Sequence, residues 1–199
     1  MKKYAAILLL SSIYLLNGCS SEESIENDEE ISKIEDIQIP TIFTSEKSGY
    51  DINKDEMKSS IQSYLDSSED LFNAMLIYEE NMYEDIEFTE DDIEKLNILS
   101  ELTTENDDNF YDFITTNTVP KDYEVDVLRI SLYITSLNEY VESLDENLST
   151  FEENIVNGKI TKKNISSILN TNGVVNGREQ KKIEDFLDTE NIDTKAFSK

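Results

Sequence analysis

The 199-residue chain has no histidine and no tryptophan, a single cysteine, five glycines and two prolines. Without histidine, and with one cysteine, it cannot build a Cys/His zinc site, a Ser-His-Asp or Cys-His catalytic centre, or an internal disulfide. Basic residues are also few, 17 against 44 acidic ones, which gives a formal charge of −27. So acidic a chain lacks the basic surface with which proteins bind nucleic acid, and this excludes nucleic acid as a partner.

The N-terminal segment, residues 1–18, has the pattern of a lipoprotein signal peptide. Lys2 and Lys3 form a short positive region, and the mostly apolar run that follows is shorter than a membrane-spanning helix requires. The run ends in Leu-Asn-Gly-Cys at residues 16–19, which resembles a lipobox. The resemblance implies that diacylglycerol is attached to the thiol of Cys19 and that the chain is cleaved before it. An ordinary secretory signal, in which Cys19 is incidental, is the alternative.

A lipid on Cys19 predicts a protein held at the extracytoplasmic face of the cell membrane. Two acyl chains give the stable attachment that one chain does not, since each buried CH₂ contributes roughly 0.8 kcal/mol. An anionic membrane surface repels so acidic a chain, so the lipid alone is expected to hold it there. The many Asn, Ile, Lys, Asp and Glu residues are typical of low-GC codon usage and, with the lipobox, indicate a Gram-positive bacterium.

Residues 19–52 are predicted to form a disordered acidic tether between the membrane and the folded part. Residues 20–38 hold eight acidic side chains and Lys33 as their only base. Such a run cannot bury enough apolar surface to offset the entropy of ordering it. In a second interpretation, the end of the segment lies extended against the folded part through four apolar residues, Ile37, Ile39, Ile42 and Phe43.

Apolar residues at strict 4-3 spacing predict an all-α fold for the rest of the chain. We expect an elongated antiparallel bundle of three long helices over residues 53–157, with a smaller C-terminal helical unit, residues 158–199, packed on it. The seams of the first and third helices lie within residues 57–82 and 127–155. The third helix is expected to begin near Pro120, because proline is tolerated in a first turn.

Helix starts are also marked by cap residues. Asn53 and Glu56 have the spacing of a capping box, and so do Asn176 and Glu179. Thr89 precedes three acidic residues, as expected for the N-cap of the second helix.

The second helix carries polar residues, Thr103 and Asn106, on its apolar seam. One interpretation is a break between two shorter helices near Thr103. The other is a continuous helix that folds back on the first, which sets Ser68 level with Thr103 and Tyr64 level with Asn106. The polar residues would then lie in one layer and satisfy one another, as buried polar groups must.

The sequence Asn106-Asp107-Asp108-Asn109-Phe110 reads N-D-x-x-F. Together with the lipobox and the helical body, it resembles the NDxxF-motif lipoproteins of the staphylococcal type. The molecular function of that family is unassigned, so the resemblance implies location and lineage but no activity. Residues 158–197 are also similar to the tail of the cell-wall-binding helical lipoproteins of bacilli, although a wall binder is usually less acidic.

Two roles are open for the motif. Asn106 and Phe110 lie on the predicted seam, which favours a role in determining the fold, and a turn at the end of the second helix would bring Asn106 level with Ile130. Asp107 and Asp108 are expected to project from the seam. In the second interpretation the motif is part of a partner site.

No metal or cofactor site is predicted. Residues 51–55 match the opening D-x-N-x-D of a calcium loop, but Glu56 stands where glycine is required and Gln62 where a bidentate glutamate is expected. Asn53 is therefore expected to act as a helix cap. Paired carboxylates are frequent in so acidic a chain and carry no specificity.

The leading hypothesis is a non-enzymatic, lipid-anchored surface protein that binds an envelope partner, either a cell-wall polymer or another membrane protein. The alternatives are a glycan-acting enzyme that uses carboxylates alone, and a phage- or plasmid-borne exclusion or immunity lipoprotein. The missing histidine and tryptophan, and the narrow solid core expected of a helical bundle, argue against an enzyme. A concave site with two carboxylates roughly 5–10 Å apart and an acid of raised pKa would favour one.

Overall fold

The computed structural model describes residues 37–83, 88–156 and 174–197. The predicted signal peptide, Cys19 and the first part of the predicted C-terminal unit lie outside these residues. So do the acidic residues at the start of the predicted tether.

Four α-helices follow one another in the described chain: α1 (Lys54–Tyr83), α2 (Glu90–Thr116), α3 (Glu124–Val156) and α4 (Gly177–Glu190). Its only β element is an isolated bridge between Asp51 and Thr118. The prediction of an all-α fold is therefore confirmed for this part of the chain. Helix α2 is continuous, so the interpretation with a break near Thr103 is wrong. No helix in the described ranges is both long and apolar enough to cross a membrane.

The predicted caps begin three of the helices. The side-chain oxygen of Asn53 accepts a hydrogen bond from the amide of Glu56 at 3.0 Å. Thr89 and Asp92 form a reciprocal capping box at the start of α2. The side chain of Asn176 accepts hydrogen bonds from two amides in the first turn of α4. Each cap satisfies amide groups that have no partner within the helix.

Helix α3 begins at Glu124 and not near Pro120, because the chain before it is held by a neighbouring segment. The amide of Thr118 donates to the carbonyl of Tyr50 at 2.8 Å, and the carbonyl of Thr118 accepts from the amide of Ile52 at 3.0 Å. These bonds keep residue 118 extended, and a turn over residues 121–123 precedes the helix.

Consecutive helices pack against one another: α1 on α2, α2 on α3, and α3 on α4. The first pair is antiparallel, since Tyr64 contacts Asp107 while Tyr78 lies beside Phe88, before the start of α2. Apolar residues at helical spacing fill the interfaces. Each large side chain that is fully buried contributes roughly 1.5–3 kcal/mol. Those that are completely buried are Met57, Ile61, Tyr64, Leu65, Leu71, Leu99, Phe110, Tyr123 and Ile130.

The described part of the predicted tether, residues 37–52, lies against the helices. Ile37 and Phe43 are buried, Ile42 is half-buried and Ile39 is exposed. The extended interpretation therefore describes this part of the segment. We refer to residues 37–52 below as the N-terminal strap.

The end of the described chain crosses α1. Ile192 is buried, and the amide of Lys195 donates to the carboxylate of Asp66 at 2.7 Å. The ammonium group of Lys195 forms an ion pair with Asp70 at 2.6 Å. Residues 192–197 therefore lie beside the middle of α1, close to the cavity described below.

Candidate functional site

The motif asparagine joins the strap to α1. Asn106 is 1% exposed. Its side-chain oxygen accepts a hydrogen bond from the amide of Phe43 at 2.9 Å. Its side-chain nitrogen donates to the hydroxyl of Ser68 at 3.0 Å and to the carbonyl of Tyr64 at 3.3 Å. The polar layer predicted from the fold-back of α2 on α1 is thus present for Asn106, whereas the hydroxyl of Thr103 donates within its own helix to the carbonyl of Leu99 at 2.9 Å.

The motif aspartate joins α1 to α3. Asp107 is 6% exposed, so the expectation that it projects from the seam is wrong, whereas Asp108 is exposed. One carboxylate oxygen of Asp107 accepts a hydrogen bond from the hydroxyl of Tyr64 at 2.7 Å. The other accepts one from the side-chain amide of Asn138 at 2.8 Å. The hydroxyl of Thr135 lies near the same carboxylate.

This contact also corrects the predicted register between α2 and α3. The sequence placed Ile130 level with Asn106, but the partner of the motif is Asn138, roughly two helical turns further along α3. The connection of residues 117–123 is longer than the tight turn that the prediction assumed, because it contains the bridge at Thr118 and a further turn. Because α3 starts later than predicted, residues further along α3 lie opposite the motif.

The motif phenylalanine packs the same three parts of the chain together. Phe110 is fully buried, and its ring stacks on the ring of Tyr64 at 4.1 Å with an angle of 2° between the planes. The ring of Phe43 stands edge-on to it at 5.5 Å. The intervening Asn109 donates a hydrogen bond to the carbonyl of Phe43 at 3.0 Å. The fixed residues of the motif are therefore all bound inside the fold.

Burial sets the protonation of this network. It raises the pKa of Asp107, because a charged carboxylate loses hydration, while the hydrogen bonds from Tyr64 and Asn138 and the nearby hydroxyl of Thr135 act in the opposite direction. Burial and the negative charge of Asp107 raise the pKa of Tyr64 well above its ordinary value. Tyr64 therefore stays protonated and remains a donor to the carboxylate.

Lowering the pH from about 7 towards about 4 is expected to raise the melting temperature, partly through Asp107. Its pKa in the folded protein lies above the ordinary value of 3.8. The folded state therefore binds this proton more tightly than the unfolded chain does. Above the folded pKa, the buried charge of Asp107 lowers the stability of the fold by its full amount. This destabilisation disappears as the pH falls towards the pKa of the same group in the unfolded chain.

Thermal melts at the two pH values check this expectation. On acidification, the melting temperature of Asp107→Asn should rise less than that of the wild type. The melting temperature of Asp108→Asn, which loses the same charge at an exposed position, should rise as much as that of the wild type. An undiminished gain in Asp107→Asn would contradict the assignment.

A cavity of about 330 Å³ opens beside this network, between α1, α2 and α3. It contradicts the expectation that a narrow helical core leaves no cleft. Asp107 and Asn138 line it, so the motif network forms part of its wall. Most of the surface of the wall is apolar, although eight of the other fourteen lining residues are polar or acidic. The apolar residues are Phe72, Met75, Leu76, Ile134, Leu137 and Ala196.

The described ionisable residues that line the cavity are all acidic, and the nearest described base, Lys195, is ion-paired to Asp70. The described lining of the cavity contains no lysine or arginine and four acidic residues, Glu69, Asp107, Asp108 and Glu139. Burial raises the pKa of Glu69, since a half-buried carboxylate is poorly hydrated. The carboxylates of Asp108 and Glu139 are exposed, which places them at the opening. Neither accepts a hydrogen bond from the part of the chain that the structure describes.

The other candidate positions do not come together in a site. Asn53 caps α1, Asp51 pairs with Thr118 through its backbone, and Asp55 is exposed on the first turn of α1. Over residues 37–83, 88–156 and 174–197, no group of three or more His, Cys, Asp or Glu side chains is arranged to hold a metal ion.

Sequence reasoning missed the contribution of α3 and of the strap. Thr135 and Asn138 are three residues apart and flank the apolar seam of α3, which is the one signal that could have indicated a polar partner for the motif. Nothing in the sequence pairs Phe43 with Asn106, because the two residues are distant in the chain and the strap has no period of its own.

Comparison with known proteins does not extend this picture, since no protein-family model, no curated protein and no solved structure matches the chain. The resemblance to the NDxxF-motif lipoproteins therefore stays a prediction from the sequence.

Proposed function

We propose that the protein is a lipid-anchored component of the extracytoplasmic face of the cell membrane, whose helical part binds an envelope partner without chemical turnover. The observation that carries the proposal is the state of Asp107 in the cavity wall. Both of its carboxylate oxygens accept hydrogen bonds from within the protein. A carboxylate held in this way supports the shape of a binding cavity and is not free to transfer a proton to a substrate.

The size and lining of the cavity support binding of a partner. Its volume, about 330 Å³, lies at the lower end of the range for ligand pockets, and most of the surface of its wall is apolar, although ten of the sixteen lining residues are polar or acidic. Such a cavity can enclose a few side chains of a protein or one small group of a polymer. A membrane protein and a cell-wall polymer are therefore both proposed as partner classes.

The sequence also supports an architecture that suits a membrane-anchored binding protein. We propose an elongated antiparallel bundle of three long helices over residues 53–157, with the C-terminal helical unit, residues 158–199, packed on it. The acidic residues upstream of the strap would act as the tether, and the lipid on Cys19 would hold the tether to the membrane.

The anchor is tested by replacing its attachment residue. Cys19→Ala should abolish incorporation of a fatty-acid analogue and shift the protein from the membrane fraction to unprocessed precursor or released protein, because the thiol is the acceptor of the lipid. Ser20→Ala, one residue further on, should still be labelled. A wild-type protein that is unlabelled and soluble would contradict the proposal.

Binding through the cavity is tested by crosslinking on intact cells. A photoreactive group on Thr104→Cys, an exposed residue that lines the cavity, should form a discrete crosslinked product. The same group on Glu101→Cys, exposed on α2 but outside the lining, should not. Equal products from both positions, or none from Thr104→Cys, would contradict a binding site at the cavity.

Glu69 favours one second candidate, the carboxylate-only glycan-acting enzyme. It is an acid of raised pKa in a concave site, with Asp108 and Glu139 as further carboxylates. The discriminating measurement is the release of fragments from purified wall glycan. Release by the wild type that is lost in Glu69→Gln would replace the binding proposal with this one.

A further inference from the structure

The charge of the cavity restricts the chemistry of its occupant. Most of the surface of its described lining is apolar, and the ionisable residues in that lining are all acidic. An anionic group placed there would be repelled by four carboxylates, and a neutral apolar group would gain no attraction from the carboxylates at the opening. A cation on an apolar stem fits both parts, since lysine and arginine bury their methylene groups while the charged end stays at a polar rim.

We propose that the cavity binds a basic side chain, lysine or arginine, flanked by apolar residues on a segment of a partner protein. This inference rests on the proposed function and names the chemistry of the partner at the same site. The apolar stem lies against Met75 and Leu76 of α1, and the cationic end lies between Asp108 of α2 and Glu139 of α3.

Three observations favour a protein segment as the source of the cation. The cavity has room for a few side chains and lies between α1, α2 and α3. The carboxylates of Asp108 and Glu139 are exposed and accept no hydrogen bond from the described residues, so they do not have to give up a bond within the protein. The net charge of −27 attracts a basic partner over a long range, which speeds the encounter.

A methyl NMR titration tests the inference, with the complete chain from Ser20 onward and methionine methyl labelling. The methyl group of Met75 lines the cavity, whereas Met57 is fully buried outside its lining and serves as an internal control. The probe is an acetylated and amidated tripeptide of leucine, lysine and leucine. Matched tripeptides carry glutamine or glutamate in the central position.

The lysine peptide should shift the Met75 signal saturably and leave Met57 unchanged, and the glutamine and glutamate peptides should bind more weakly in that order. Asp108→Asn should weaken the binding of the lysine peptide roughly threefold, which is the effect expected for the loss of one exposed ion pair. Asp112→Asn, the same change at an exposed position of α2 outside the lining, should leave the affinity unchanged. Leu76→Ala should weaken the binding of all three peptides.

Two results would overturn the inference. If the glutamine peptide binds as well as the lysine peptide, or if Asp112→Asn weakens binding as much as Asp108→Asn, the cavity does not select a cation. If no peptide shifts Met75, no basic segment binds there. A discrete crosslink from Thr104→Cys on cells would in either case leave the proposed function standing, whereas its absence would remove both.

Discussion

Phe110→Ala is expected to lower the free energy of unfolding by about 3–5 kcal/mol, the cost of emptying a well-packed aromatic site. The side chain is fully buried, stacks on Tyr64 and meets the edge of Phe43. Its loss removes the packing that joins α1, α2 and the strap in one place. Since a protein of this size is stabilised by only about 5–15 kcal/mol, the variant should be close to unfolding at 37 °C.

Denaturant melts followed by circular dichroism measure this effect, with Tyr111→Ala as the matched control. Tyr111 is the next residue on the same helix and is 47% exposed, so its replacement should change the free energy of unfolding by no more than about 0.5 kcal/mol. Similar values for the two variants would show that Phe110 does not hold this part of the fold together.

Asp107→Ala is expected to be destabilising by about 2–4 kcal/mol, because it leaves buried donors without an acceptor. The fully buried hydroxyl of Tyr64 and the half-buried side-chain amide of Asn138 both lose their partner. Part of the loss is offset because the cost of burying the charged carboxylate disappears as well.

The control for Asp107→Ala is the neighbouring acid. Asp108→Ala removes the same charge from an exposed position and should change the free energy of unfolding by less than about 0.5 kcal/mol, measured in the same melts. A large loss in Asp108→Ala, or none in Asp107→Ala, would contradict the assignment of the two acids.

The sequence predicted the helices and part of the polar layer because these depend on local period and on one short fold-back. The seam of α2 carries Thr103 and Asn106, and the short connection to α1 fixes which residues of α1 stand opposite. The side chain of Asn106 accordingly bonds to Ser68 and to the backbone of Tyr64. The caps Asn53, Thr89 and Asn176 were equally predictable, since a cap is defined within a few residues.

The burial of Asp107 could not be predicted, because it depends on groups that are distant in the sequence. An aspartate beside an apolar seam normally projects into water, where its charge is hydrated. Here Tyr64 and Asn138 supply donors from two other helices. The hydrogen bond from Asn138 depends on the register of α3, and the bridge at Thr118 shifts that register. The strap closes the other side of the motif through backbone bonds that leave no pattern in the sequence.

The cavity was also missed for a physical reason. A 4-3 seam predicts which residues face inward, but it does not predict how completely side chains from three helices fill the space between them. Met75, Leu76 and Leu137 have the composition of an ordinary core, yet they line an open cavity. The distinction depends on how the helices cross and on the end of the chain, where Ala196 forms part of the wall.

The central claim is that the motif aspartate is bound within the fold and serves structure, leaving the cavity beside it for binding. A double-mutant cycle between Tyr64→Phe and Asp107→Ala tests this most directly. Tyr64→Phe keeps the ring that stacks on Phe110 and removes only the hydroxyl that bonds to Asp107. The account predicts that the two losses of stability are coupled by about 1–2 kcal/mol, as for groups in one buried network, whereas losses that add to within about 0.5 kcal/mol would contradict it.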